Sequence, residues 1–261
     1  MKEDRLLKIE QYINSRDYVT IPELIEHFQV SMNTVRRDLN TLHAAGKIKK
    51  IYGGAKRLET AGSAGEILTP YAERNVKNAA EKYRIAGKAA EFISEGDTIF
   101  IDTGTSTVPL LHHLSSFRHL TVITNSVYAL YSALDFPQFT FIGLPGILKH
   151  KTASLVGEQC VASLGNYNIN KAFMACSAIS LTNGVSNSSM EEFSIKQSVL
   201  RRSTTHYLLV DASKFNKSSL LTFAELKDFD YIITDQTPGG EYLEYFEANH
   251  IKLIVTDESD R

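Results

Sequence analysis

The chain is short of several things that would point to particular protein classes. Two cysteines occur in 261 residues, Cys160 and Cys176. Their spacing fits no metal-ligand pattern, so they are expected to be buried thiols in a reducing cytoplasm. No apolar run reaches the roughly 18 residues of a membrane span, and no membrane partner is expected. The opening Met1-Lys2-Glu3-Asp4-Arg5 has no apolar h-region behind it, so no secretory signal is read and a cytoplasmic location is expected. No internal repeat or metal motif appears, and neither metal nor cofactor is expected. The apolar share of 43% and charged share of 22% are those of ordinary globular protein, sufficient for a packed core.

Charge is unevenly placed. Residues 1–58 carry 11 Lys and Arg against 7 Asp and Glu, a net of +4, while residues 59–261 carry the remaining 17 against 23, a net of −6. A basic head on an acidic body suggests that the head alone meets a polyanion. Texture divides the chain in the same way. A head over 1–58 shows helical periodicity. A linker over 59–74 begins with the small, polar run Glu59–Thr69. A body over 75–261 alternates β-branched runs with amphipathic stretches, the pattern of parallel βαβ units.

In the head, Leu6, Ile9 and Ile13 predict a first helix over about Lys2–Ser15. Thr20-Ile21-Pro22-Glu23 has the capping-box pattern with proline in the first turn, and opens a second helix ending near Phe28. Gln29-Val30-Ser31 is a tight connection, with Ser31 placed to cap a third helix to about Ala45, stopped by Gly46. Two short helices so joined have helix-turn-helix proportions.

On the third helix Val35, Leu39 and Leu42 form one apolar stripe. Asn33, Arg37 and Asn40 fall opposite it, flanked by Thr34, Arg36 and Thr41. Arginine reads guanine, asparagine reads adenine, and hydroxyls hold phosphates, so this face suits a major groove. Asp38 is the only acid of the helix, whereas a merely solvated face usually mixes signs. Lys47–Tyr52 then alternates like a strand, Gly53-Gly54 can turn it, and Ala55–Leu58 can return. Such a basic hairpin is a wing for the DNA backbone or minor groove. The expected DNA contacts are Ser31, Asn33, Thr34, Arg36, Arg37, Asn40, Lys47, Lys50, Tyr52 and Gly53.

Val30–Leu39, Gly46 and Tyr52-Gly53-Gly54-Ala55 together resemble the DeoR-type winged-helix signature. The resemblance implies binding to double-stranded operator DNA, usually as a repressor of sugar-catabolic genes.

In the body, a helix over Ala79–Ser94 leads to a strand over Thr98–Ile101, then Asp102-Thr103-Gly104-Thr105-Ser106-Thr107 and a further helix with Pro109 in its first turn. A strand, a glycine turn rich in hydroxyls and a helix N-terminus form an anion cradle. Strands at Leu120–Thr124, Phe139–Ile142 and Tyr207–Val210 end at Asn125-Ser126, at Gly143-Leu144-Pro145-Gly146 before Lys149-His150-Lys151, and at Asp211-Ala212-Ser213-Lys214. Ligands collect at the carboxyl ends of strands in open parallel sheets, so these turns are expected to converge. The expected effector residues are Asp102, Gly104, Thr105, Ser106, Thr107, Asn125 and Lys214, with Lys214 as charge partner of a phosphate.

The motifs 102–107, Ile123–Ser126, Glu192…Lys196 and Asp211–Phe215 resemble the DeoR-type sensor domain. That implies a ribose-5-phosphate-isomerase-like fold, an α/β architecture with an open parallel sheet behind a winged helix-turn-helix, and a phosphorylated sugar as effector. Gly143–Gly146 departs from the family's adjacent glycines. Tyr167–Met174 and Lys217–Thr222 resemble the myo-inositol catabolism repressor branch, implying a phosphorylated inositol-degradation intermediate as inducer.

The alternative is an isomerase-like enzyme carrying a DNA-binding head. Isomerisation needs a general base beside the reacting carbon, and the isomerase relatives carry an acidic cluster after a central strand. The corresponding Phe173–Ser180 holds no acid, and Glu191 and Glu192 read as surface or structural positions. A sensor is the better reading. RNA binding finds little support, since the basic head has no aromatic stacking platform. Two-fold operators imply an even homo-oligomer, a dimer or tetramer.

Overall fold

A computed structural model describes residues 2–14, 16, 18–45, 47–51, 53–57 and 70–256. The chain divides into two compact units, Met1–Ala64 and Gly65–Arg261.

The head consists of α1 (Lys2–Asn14), β1 (Val19–Thr20), α2 (Ile21–Phe28), α3 (Met32–Ala44), β2 (Ile48–Ile51) and β3 (Gly54–Arg57). Local chemistry sets these boundaries. Thr20 accepts the Glu23 N–H while the Glu23 carboxylate accepts the Thr20 N–H, closing the capping box. Gln29 supplies the left-handed residue (φ 51°) that ends α2, and Ser31 caps α3 through the Thr34 N–H. Helix α3 ends with Ala45 as its C-cap; the expected stop, Gly46, lies outside the described residues. Ile9, Ile13, Leu24, Val35, Leu39, Leu42 and Ile48 form one small core.

Two features of the head go beyond the sequence reading. Asp38 is not on the exposed face: it is fully buried and takes a bidentate pair from Arg5 of α1, at 2.7 and 3.3 Å. The wing also has a third strand, β1, so its sheet runs β1-β3-β2. Gly54 is therefore a strand residue paired with Thr20 and Ile51, and the described turn residue is Gly53, at φ +80°. A Cβ at Gly54 would lie 2.2 Å from the Val19 carbonyl oxygen.

The body opens with α4 (Tyr71–Val76), within the span expected as linker, and α5 (Ala79–Ala90). There follow β4 (Thr98–Ile101), β5 (Thr121–Thr124), α6 (Val127–Ser132), β6 (Thr140–Gly143), β7 (Ile147–Lys149), β8 (Ser154–Val156), α7 (Glu158–Leu164) and β9 (Ile169–Met174). The chain continues through β10 (Ala178–Ser180), β11 (Gly184–Asn187), α8 (Met190–Arg202), β12 (Ser203–Leu209), β13 (Leu221–Ala224), β14 (Tyr231–Thr234), α9 (Gly240–Ala248) and β15 (Lys252–Val255). Seven strands form one parallel sheet, ordered β15-β14-β12-β9-β4-β5-β6.

Alternation along the central strands divides the core into two layers. Phe100, Ala172, Met174 and Leu208 pack with α7, α8 and α9. Ile99, Ile101, Phe173, Tyr207 and Leu209 pack with α5 and α6. A sheet buried on both faces is the doubly covered α/β arrangement that the β-branched runs predict. The hairpin β7–β8 and the small sheet β10-β11-β13 are additions that the sequence did not reveal. The segment after Thr107 is a six-residue 3-10 turn, Val108–His113, where an α-helix is expected from sequence.

Gly54→Ala is expected to destabilise the head by about 1–3 kcal/mol through overpacking against β1. Hydrogen exchange should show faster opening of residues 19–20 and 54–57 with the body unchanged.

Candidate nucleic-acid interface and ligand crevice

The face of α3 opposite its buried stripe carries Asn33, Arg36, Arg37, Asn40 and Thr41, all exposed. With Asp38 consumed by Arg5, this face holds two arginines and no acid. Neither Arg36 nor Arg37 has a hydrogen bond or ion pair among the described residues, so both guanidinium forks are available. Other expected contacts are partly engaged. Ser31 and Thr34 share a hydroxyl–hydroxyl bond of 2.9 Å at the helix start. Lys50 on β2 donates to the Asn40 side-chain oxygen, bracing the wing against α3. Lys47 pairs with Glu10 of α1 at 2.8 Å, and Gly53 stands at the exposed wing turn. Tyr52 lies outside the described residues.

In the body, the parallel sheet brings neighbouring strand ends together. Asp102 follows β4, Asn125 follows β5, Ala175 and Cys176 follow β9, and Asp211 follows β12. The Asp102 carboxylate accepts the N–H groups of Thr103 (2.8 Å) and Ala175 (2.9 Å) and a short bond from the Lys196 ammonium. Lys196 also donates to the Ala175 carbonyl at 2.8 Å. Both charges are about 95% buried. Asp102 is thus at the expected place, but its carboxylate fixes the loop.

Gly104 allows that fixing, since a Cβ there would fall 2.2 Å from the Ala175 Cβ. Thr107 ties the loop internally, donating to the carbonyls of Asp102 (2.7 Å) and Gly104 (2.9 Å). What remains is a buried run, 104–106, whose three backbone N–H groups have no acceptor among the described residues. The Thr105 and Ser106 hydroxyls likewise have no partner there. Buried N–H groups rarely go unpaired, and consecutive ones make an anion-binding concavity. The anion argument therefore rests on the loop amides, because the short 3-10 turn supplies no long helix dipole.

Asn125 spends its side-chain N–H on the Leu155 carbonyl (2.9 Å), leaving its buried oxygen unpaired. It offers an acceptor, suited to a hydroxyl and unsuited to a phosphate. Lys214 is half-buried and makes no hydrogen bond or ion pair among the described residues. Burial raises the Asp211 carboxyl, but hydrogen bonds from Ser213, the Lys214 charge and Asn78 outweigh it and hold it low.

Glu192 corrects its sequence reading as surface or structural. Its neighbour Glu191 faces outward and pairs with Lys149 at 2.6 Å, which pulls its carboxyl down to about 2. Glu192 instead turns inward beside Lys196, accepts the Thr103 hydroxyl at 3.3 Å, and is buried enough that its carboxyl is raised. Its four-residue spacing from Lys196 places both on one face of α8, a signal available in the sequence. Cys176 is half-buried at the same strand ends, and burial pushes its thiol up to about 12.

Three of the seven expected effector residues face two separate spaces. Asp102 and Gly104 line a crevice with Arg74, Asn187, Glu192 and Lys196 that encloses only about 30 Å³, the volume of a single water. Thr105 lines a larger cavity of about 350 Å³.

Comparison with known proteins agrees with both halves. Residues 5–61 match the DeoR-like helix-turn-helix domain, and residues 77–236 match the DeoR C terminal sensor domain. The HTH-type transcriptional regulator IolR of Bacillus subtilis (strain 168) is 39% identical over 97% of this chain and 99% of its own length. The glycerol-3-phosphate regulon repressor of Escherichia coli (strain K12) is 29% identical over 94% and 95%. Among solved structures, a ribose 5-phosphate isomerase from Methanocaldococcus jannaschii is similar at a TM-score of 0.39 and 16% identity, covering 53% of this chain and 55% of that one. The chain belongs to the DeoR family of DNA-binding transcriptional regulators. No helix among the described residues is long and apolar enough to cross a membrane.

Lys196→Met leaves a buried carboxylate without its cation, and is expected to destabilise the body by about 3–5 kcal/mol. Urea unfolding of the full chain checks this, and a loss below 1 kcal/mol would deny the pair its structural role.

Proposed function

We propose that this protein represses a sugar or polyol catabolic operon, binding operator DNA through α3 and the wing and releasing or tightening it when a phosphorylated sugar occupies the body. The observation that carries the effector reading is the buried 104–106 run, with three unpaired amides and two hydroxyls without a partner among the described residues. A phosphoryl group satisfies such donors, while the unpaired Asn125 oxygen offers an acceptor for a sugar hydroxyl. The relative named as a glycerol-3-phosphate regulon repressor supports a phosphorylated effector. The resemblance of Tyr167–Met174 and Lys217–Thr222 to the inositol catabolism branch supports an inositol-breakdown intermediate in particular.

On the DNA side, exposed Asn33, Arg36, Arg37 and Asn40 read the groove, and Lys47, Lys50, Tyr52 and Gly53 meet the backbone. An even homo-oligomer matches a two-fold operator. Effector control requires different affinities of the ligand for the DNA-competent and DNA-incompetent arrangements.

Arg37→Ala is expected to cost about 1–3 kcal/mol of operator affinity, whereas Lys50→Ala weakens specific and random DNA alike and lowers the salt slope by about one. Because Lys50 bonds Asn40, the effects of Asn40→Ala and Lys50→Ala on operator affinity should not add. Titration by fluorescence anisotropy checks all three, and full operator affinity in Arg37→Ala would remove α3 as the reading element. Thr105→Ala with Lys214→Ala is expected to bind operator normally but lose its response to sugar phosphates; a wild-type response would place the effector elsewhere.

A further inference from the structure

The larger cavity beside Thr105 holds a cation that sequence reading passed over. Lys82 on α5 is 4% exposed. Its ammonium donates to the carbonyls of Arg74 (2.6 Å) and Lys77 (2.7 Å) at the end of α4, and makes no ion pair among the described residues. Burial lowers its pKa to about 8; Asp211 opposes the fall, and Lys214, Arg74 and Lys77 add to it. Lys196 is equally buried, but Asp102 cancels its charge. A buried ammonium among further cations, with no carboxylate in contact, is stabilised by an incoming anion.

The cavity has room for one. Its 350 Å³ falls within the roughly 300–1,000 Å³ of small-molecule sites, which the 30 Å³ crevice does not approach. Thr105, with its unpaired amide, lines the cavity opposite aromatic walls of Tyr71, Tyr83, Tyr128 and His112. Tyr71 and Tyr128 stack on each other at 4.2 Å, so the two rings brace one aromatic wall of the cavity.

We propose that Lys82 binds the phosphoryl group of the effector in this cavity, with the Thr105 amide and hydroxyl as co-donors and the tyrosines along the carbon skeleton. The inference rests on the sugar-phosphate reading and assigns the residue and the space that serve it. Lys82 donates its third N–H to a phosphate oxygen, which completes its hydrogen bonding and supplies the missing negative charge.

Inorganic phosphate, titrated into the full chain at constant ionic strength and followed by phosphorus NMR line broadening, tests it. Wild type should bind saturably. Lys82→Met should weaken binding by roughly tenfold or more, as loss of one charge-assisted hydrogen bond implies, and Lys82→Arg by less. Wild-type affinity should also fall from about pH 8 to about pH 9.5 as Lys82 loses its proton, with Lys82→Met flat over that range. The other charged groups facing Lys82 are Arg74, Lys77, Lys214 and Asp211. Equal affinity and equal pH profiles in wild type and Lys82→Met would overturn the Lys82 assignment and leave the sugar-phosphate reading standing. No saturable phosphate binding in wild type would overturn both. If Lys82→Met does not fold, Ala79→Phe on the exposed rim replaces it: blocked binding supports the proposal, and unchanged binding overturns it.

Discussion

The body is organised around the buried pair of Asp102 and Lys196. One carboxylate collects the Thr103 amide, the Ala175 amide and the Lys196 ammonium, so it joins the end of β4, the end of β9 and α8 at a single point. Such a pair is weak evidence for stability, because both charges must leave water. Its consequence is positional. With Asp102 held, Gly104 is pressed against Ala175, and the backbone N–H groups of residues 104–106 have no acceptor among the described residues. The unsatisfied amides that suit an anion thus follow from a charge pair that never touches one.

The head uses the same device at smaller scale. Arg5 draws Asp38 into the interior and so couples α1 to α3. The packing contact removes the one acid of α3 from its surface, leaving Arg36 and Arg37 unopposed on the exposed face of the helix. The Lys50–Asn40 bond links wing and helix, so the two elements present adjoining parts of one surface.

Much of this was legible in the sequence, for identifiable reasons. Thr20 and Ser31 are caps, Val35, Leu39 and Leu42 follow helical periodicity, and Thr98–Ile101 is a β-branched run before a glycine turn. All are local signals, and the structure places each as read. The errors come where a residue's partner is distant in sequence. Asp38 is buried by Arg5, 33 positions away, and Gly54 is a strand residue because Val19 packs on it. Glu192 reads as surface or structural, and its burial is seen only where Thr103, after β4, bonds to it. Lys82 looks like one more solvated lysine, and only the end of α4 and the strand ends around it give its charge a context. Resemblance to the DeoR family supplied the sensor domain, yet it did not separate the narrow crevice from the larger cavity.

The central claim is that a phosphate-bearing small molecule controls a DNA-reading head. The most direct measurement is an operator titration of the full chain with the small-molecule fraction of a bacterial extract, intact or first treated with alkaline phosphatase. The intact fraction is expected to move the operator midpoint, and the dephosphorylated fraction to leave it unmoved. An equal shift with both fractions would contradict it, since the effector would then need no phosphate.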